Sequence, residues 1–126
     1  MPIDLCKADD LDDRTARGFD ILGNGRDALF VIRINDTFHG YLNACPHYDP
    51  SARVPLAWSK DKYLNAGGTH IVCSGHGAFF EPETGLCIRG PCKGAVLTRM
   101  AIEISSDGML KLPNTSLTGD DNDSNR

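Results

Sequence analysis

The stretch Ile71-Val72-Cys73-Ser74-Gly75-His76-Gly77-Ala78-Phe79-Phe80, read with Asn43-Ala44-Cys45-Pro46-His47 upstream of it, decides how the rest of the chain is understood. In the longer stretch two strand-like runs, 70–73 and 78–80, flank a cluster of turn-forming residues. The loop between them carries one thiol and one imidazole. The upstream pentapeptide, just after another strand-like run, carries the same pair, and 25 residues separate His47 from Cys73. A Cys-x-His pair is too tight for two ordinary zinc-finger ligands, whose like partners stand roughly two to five residues apart. Two irons suit the pattern better, because each loop can hand its Cys to one iron and its His to the other.

Outward from these loops, apolar residues recur at a period of two more often than at a helical period, with turn dipeptides between the runs. This predicts an all-β chain. Strands are expected over 14–21, 28–34, 37–43, 70–73, 78–80, 86–88, 96–104 and 109–112. Gly23-Asn24-Gly25, Asn35-Asp36 and Asp107-Gly108 supply hairpin turns that tolerate or require positive φ. In the 96–104 run, Met100, Ile102 and Ile104 are expected to face inward against outward Ala101 and Glu103, as a half-buried strand requires. The segment 50–65 reads as a long loop with one helical turn begun by Pro55. Residues 114–126 have almost nothing to bury and read as a disordered polar, acidic tail, leaving 1–113 as one domain.

Composition agrees with a single small globular unit: 126 residues, 40% hydrophobic and 24% charged, are enough for one packed core and argue against wholesale disorder. The net charge of −4 opposes binding to phosphate backbones, which needs clustered Lys and Arg. Six Asp lie within 1–20 and three within 117–126, whereas 21–116 is nearly neutral. The N-terminal MPIDLCKADDLDD lacks a basic region followed by an apolar one, and no run approaches the ~20 apolar residues of a membrane span. A cytoplasmic, membrane-free protein is therefore expected. Five cysteines at 6, 45, 73, 87 and 92 do not resemble a secreted disulfide framework, and in a reducing compartment they point to metal.

On the residues Cys45-Pro46-His47 and Cys73-Ser74-Gly75-His76-Gly77, with Gly85 and Gly90-Pro91 downstream, the chain resembles the Rieske [2Fe-2S] family. Either half of the motif alone is weak; together they are specific. The resemblance implies a small Rieske fold (ISP-like): antiparallel sheets in a sandwich or barrel, with a cluster-binding part at about 43–93 built from two ligand loops. It implies one [2Fe-2S] cluster, with Cys45 and Cys73 on the inner iron, His47 and His76 on the outer iron, and Gly90-Pro91 in a third loop that covers it. Replacing two thiolates by neutral imidazoles removes negative charge from one iron and raises the potential above that of an all-cysteine cluster. The oxidised cluster sums to zero charge, and one electron takes it to −1.

The same resemblance implies a Rieske-type ferredoxin with no catalytic site of its own, since an oxygenase needs a further iron domain and only His39 and His70 remain. Such a monomeric carrier takes electrons from a flavin-dependent reductase and docks transiently on a terminal oxidoreductase, an aromatic-ring oxygenase being the expected one. The chain lacks the extra loop cysteines of quinol-oxidising Rieske proteins. It has Ala78 where those place a Ser that donates to the cluster, which argues for a lower potential. The spacer at 48–72 is long for the small members of the family. With Arg53, Trp58, Lys60 and Lys62, it is either a partner-specific surface or a packed loop with solvated charges. Two other readings stay open: a small Rieske-like subunit of a larger oxidoreductase such as nitrite reductase, and a structural zinc domain on the same four residues. Cys87 and Cys92 read as thiols rather than a disulfide, and His39 and His70 as ordinary strand residues.

Overall fold

In the computed structural model the described residues are 3–23, 25, 27–44, 56, 63–73, 77–90 and 93–113. The architecture is organised by β3 (Leu29–Ile34), apolar at every position but the half-buried Arg33. Such a run can only be a strand covered on both faces. It pairs antiparallel with β2 (Thr15–Phe19) and β4 (Thr37–Leu42), and β4 pairs with β8 (Arg99–Met100), giving the order β2-β3-β4-β8. Because side chains alternate across a strand, β3 feeds two cores. Phe30, Ile32 and Ile34 join Tyr41, Leu56, Tyr63, Ile71, Cys73, Ala78, Phe80, Cys87 and Leu97 on one face. On the other, Leu29 and Val31 join Leu42, Ala44, Met100, Leu110 and Leu112.

Each face is covered by a three-stranded antiparallel sheet. One is β5 (Ile71–Cys73), β6 (Ala78–Phe80) and β7 (Cys87–Arg89), in that order. The other runs β1-β10-β9, from β1 (Ile3–Lys7), β10 (Met109–Leu112) and β9 (Glu103–Ile104). Asn35, at φ 55°, turns β3 into β4, and Gly108, at φ 84°, turns β9 into β10. Both turns fall where the sequence places them.

The fold class is the expected all-β arrangement of antiparallel sheets, here three of them. The 78–80 and 109–112 strands form at the expected bounds. Three expectations are corrected. The 86–88 strand sits one residue later, at Cys87–Arg89, because the register slips between Phe79 and Phe80. The 96–104 run is broken: Val96 bridges Leu86, Arg99–Met100 pairs with β4, and Glu103–Ile104 with β10. Ile104 stands 51% exposed instead of facing inward, because β9 is a two-residue strand at a sheet edge. Strand β1 was not expected at all. The helical turn at Pro55 and the tail 114–126 lie outside the described residues.

Candidate metal centre

Cys73 is the last residue of β5, 1% exposed, directly across from Ala78, the first residue of β6. The hairpin between them closes where the Gly77 N–H donates to the Cys73 carbonyl at 2.9 Å, with Gly77 at φ +66°. That left-handed conformation costs a side-chain-bearing residue about 1–2 kcal/mol, so the glycine after His76 is a requirement of the turn. Ile71 and Phe80, at the next core-facing pair, anchor the hairpin, and the Cys73 end is floored by apolar side chains of one core.

A second close approach pins this hairpin from the side of β7. Gly90, at φ +108°, lies so near Ala78 that an added Cβ would sit 2.8 Å from the Ala78 Cα and 3.0 Å from its Cβ. The Ala78 position, expected to lack a hydroxyl donor to a cluster, is thereby occupied by backbone-to-backbone packing. Beyond β7 the chain returns alongside: the Cys87 N–H donates to the Ala95 carbonyl and the Gly94 N–H to the Cys87 carbonyl, at 2.8 and 2.9 Å. The Cys87 thiol donates to the Arg89 carbonyl at 3.3 Å.

The other ligand stretch begins where β4 ends. Asn43 and Ala44 are both buried; the Asn43 N–H donates to the Ala28 carbonyl at 3.0 Å and the Ala44 N–H to the Leu42 carbonyl at 2.9 Å. The next residue is Cys45. Of the four expected ligands, Cys73 is described; Cys45, His47 and His76 lie outside the described residues, as do Pro91, Cys92, Arg53, Trp58, Lys60 and Lys62. The donor set of two thiols and two imidazoles, with Cys73 on an apolar floor, fits a cluster whose two redox states carry a charge of zero and −1.

The two remaining histidines are tied into other contacts. His39, on β4, accepts from an Arg99 guanidinium N–H at Nδ1 (2.8 Å). Its Nε2 lies 3.0 Å from Thr37 Oγ1, whose own hydrogen goes to the Ile34 carbonyl at 2.7 Å. This relay fixes the neutral tautomer with the proton on Nε2. Burial and then the Arg99 charge push the His39 pKa below the ordinary imidazole value, with Glu83 pulling weakly the other way. His70 contacts Thr69 Oγ1 through Nδ1 at 3.0 Å and tilts against Phe79, over which the Arg89 guanidinium also lies. Cys6 belongs to the opposite core, where burial raises its pKa and keeps it a thiol.

Sequence reasoning missed a polar node beside the first ligand loop. The Asn43 Nδ2–H donates to the Asp27 carbonyl at 2.9 Å, and its Oδ1 accepts the Leu56 N–H at 3.0 Å. The Tyr63 hydroxyl donates to the Asp27 carboxylate at 2.8 Å, while its ring stacks on Phe30 at 4.2 Å. Leu56 and Tyr63, both from the long spacer, are buried in the same core as Cys73. The one available signal was an amide just after β4, two residues before the expected ligand Cys45.

Residues 1–104 match the family model of the Rieske [2Fe-2S] domain. No curated protein matches the chain by sequence. Among solved structures, the Sphingomonas yanoikuyae B1 ferredoxin superposes with a TM-score of 0.65 at 22% identity, covering 91% of this chain and 100% of that one. A chain of the complex of reduced oxygenase and oxidized ferredoxin in carbazole 1,9a-dioxygenase gives 0.65 at 24%, covering 89% and 92%. The ferredoxin of carbazole 1,9a-dioxygenase from Nocardioides aromaticivorans IC177 gives 0.62 at 19%, covering 90% and 99%.

Proposed function

The chain belongs to the Rieske [2Fe-2S] domain family, and from that membership we propose that it is a Rieske-type ferredoxin, a one-electron carrier. Cys45 and Cys73 hold the inner iron of a single [2Fe-2S] cluster, and His47 and His76 hold the outer one. The cluster, when bound, accepts and releases one electron without a bond to substrate. The protein's own residues do the rest. Cys73 is fixed by the β5–β6 hairpin, Gly77 and Gly90 allow the tight backbone around it, and the apolar floor keeps water from the inner thiolate.

The observation that carries the reading is the joint presence of both Cys/His loops, each leaving the C-terminal end of a strand of this fold. The partners are a flavin-dependent reductase and a terminal oxidoreductase, an aromatic-ring oxygenase, with docking at the ligand loops. Support comes from the Sphingomonas yanoikuyae B1 ferredoxin and the Nocardioides aromaticivorans IC177 ferredoxin of carbazole 1,9a-dioxygenase, on which this chain superposes, and from the matching chain of a complex of oxygenase and ferredoxin. Among the described residues no helix is long and apolar enough to cross a membrane; we place the carrier in the cytoplasm as a monomer.

The test is anaerobic purification, iron and acid-labile sulfide analysis, and EPR after dithionite reduction. Equal iron and sulfide with the low average g value of histidine ligation is expected. Zinc without sulfide would leave only the structural-domain reading. Reduction by a flavin reductase and reoxidation by a ring-hydroxylating oxygenase then test the partners. His47→Ala retaining the original spectrum and full carrier activity would overturn the ligand assignment.

A further inference from the structure

We infer that Asn43 is a positioning residue for the first ligand loop, and that the long spacer is tied to that loop through Asn43, Asp27 and Tyr63. The inference rests on the cluster assignment above. Among the described residues Asn43 carries the one buried polar side chain besides the tyrosine hydroxyls, at 8% exposure. A buried amide is costly unless its donor and acceptor are both used. Here the donor goes to the Asp27 carbonyl and the acceptor to the Leu56 N–H, while the backbone N–H of the same residue goes to the Ala28 carbonyl. Three bonds to two separate chain segments hold the backbone two residues before Cys45.

The node extends on the far side. The Asp27 carboxylate accepts from Tyr63, and Gly18 leaves the space beneath it, since a Cβ there would run into the Asp27 carboxylate. Leu56 and Tyr63 are fully or almost fully buried in the core that contains Cys73, so the Asn43 amide links the base of one ligand loop to the floor under the other. Leu56, Tyr63 and Ile71 of the spacer thus belong to the packed interior of the cluster end, while Ala66, Gly67 and Thr69 are exposed. Groups that orient metal ligands from behind typically change metal retention about 10–100-fold when lost.

Asn43→Ala, Asn43→Asp and Tyr63→Phe are compared with the native holoprotein for iron release to a chelator, EPR g values and melting temperature. Val31→Ala, in the opposite core, controls for general destabilisation. Asn43→Asp keeps the acceptor for Leu56, and Tyr63→Phe keeps the stacking while removing only the hydroxyl. Asn43→Ala should release iron about tenfold faster or more, with shifted g values. Asn43→Asp and Tyr63→Phe should be intermediate, and Val31→Ala should melt lower without a spectral shift. If Asn43→Ala does not fold, the two milder variants carry the comparison. Native release rates and g values in Asn43→Asp and Tyr63→Phe, or the same spectral shift in Val31→Ala, would overturn the inference. Native protein lacking iron and sulfide would instead overturn the cluster assignment on which it stands.

Discussion

Gly90 and Gly94 flank the chain reversal after β7, and replacing each by Ala separates two costs that usually arrive together. Both sit at positive φ, +108° and +94°, where an L side chain costs about 1–2 kcal/mol. At Gly94 nothing among the described residues lies within 4 Å of an added Cβ, so that backbone cost is the expected effect. At Gly90 the Cβ would meet the Ala78 Cα at 2.8 Å and its backbone N at 3.4 Å. Backbone cannot rotate aside as a flexible side chain can, so β6 must shift, at a further cost of about 1–3 kcal/mol. Gly90→Ala is therefore expected to lose about 2–5 kcal/mol and Gly94→Ala about 1–2. With about 4 °C of melting temperature per kcal/mol for a chain of this size, the gap between the variants is about 4–12 °C. Thermal unfolding of the holoproteins, followed by far-ultraviolet dichroism and visible absorbance, measures it. In Gly90→Ala the chromophore should also bleach ahead of the backbone signal, because Ala78 closes the Cys73 hairpin. Equal losses in the two variants would refute the packing argument.

Leu56→Ala should cost about 2–5 kcal/mol in urea denaturation, since the side chain is fully buried; a loss below about 0.5 kcal/mol, the scale of a surface substitution, would show that the spacer is not part of the core. Tyr41→Phe removes a hydroxyl that donates to the Pro82 carbonyl at 2.8 Å and accepts from Arg99, and should cost about 1–2 kcal/mol in the same assay. His39 has a folded pKa below its unfolded one, so the unfolded chain binds its proton first. Its contribution to stability is present above the ordinary imidazole pKa of about 6.5 and is lost as pH falls through the window down to the folded value. The melting temperature of the native protein should accordingly fall more steeply than that of His39→Gln between pH 7 and pH 5, and parallel curves would exclude the relay through Arg99 and Thr37.

Where local chemistry and tertiary pairing agree, the sequence is legible. Asp107-Gly108 marks its turn because few residues accept the backbone it needs, and β6 and β10 are found to the residue. The expected ligand stretches stand out for a different reason: a Cys-x-His and a Cys-x-x-His in one short chain form a pattern that packing alone does not call for. Strand β1 was hidden because acidic residues dominate 1–20, and its pairing with β10 spans nearly the whole chain. The 96–104 run has one alternating pattern but meets an isolated bridge and then two sheets in turn, a change of partner that periodicity cannot register. The Asn43 node was equally invisible, since Asp27, Asn43, Leu56 and Tyr63 meet only once the strands are assembled.

Strands β1 and β10 lie side by side, with Ile3 opposite Leu112, so the polypeptide enters and leaves the folded unit at neighbouring points on one sheet. A unit whose two ends meet can be spliced into a surface loop of a host protein without stretching either, and it can be rejoined end to end and reopened elsewhere. The opening is best made at a turn remote from the ligand loops, such as Asn35-Asp36 between β3 and β4. The geometry that closes one sheet thus makes the whole module portable.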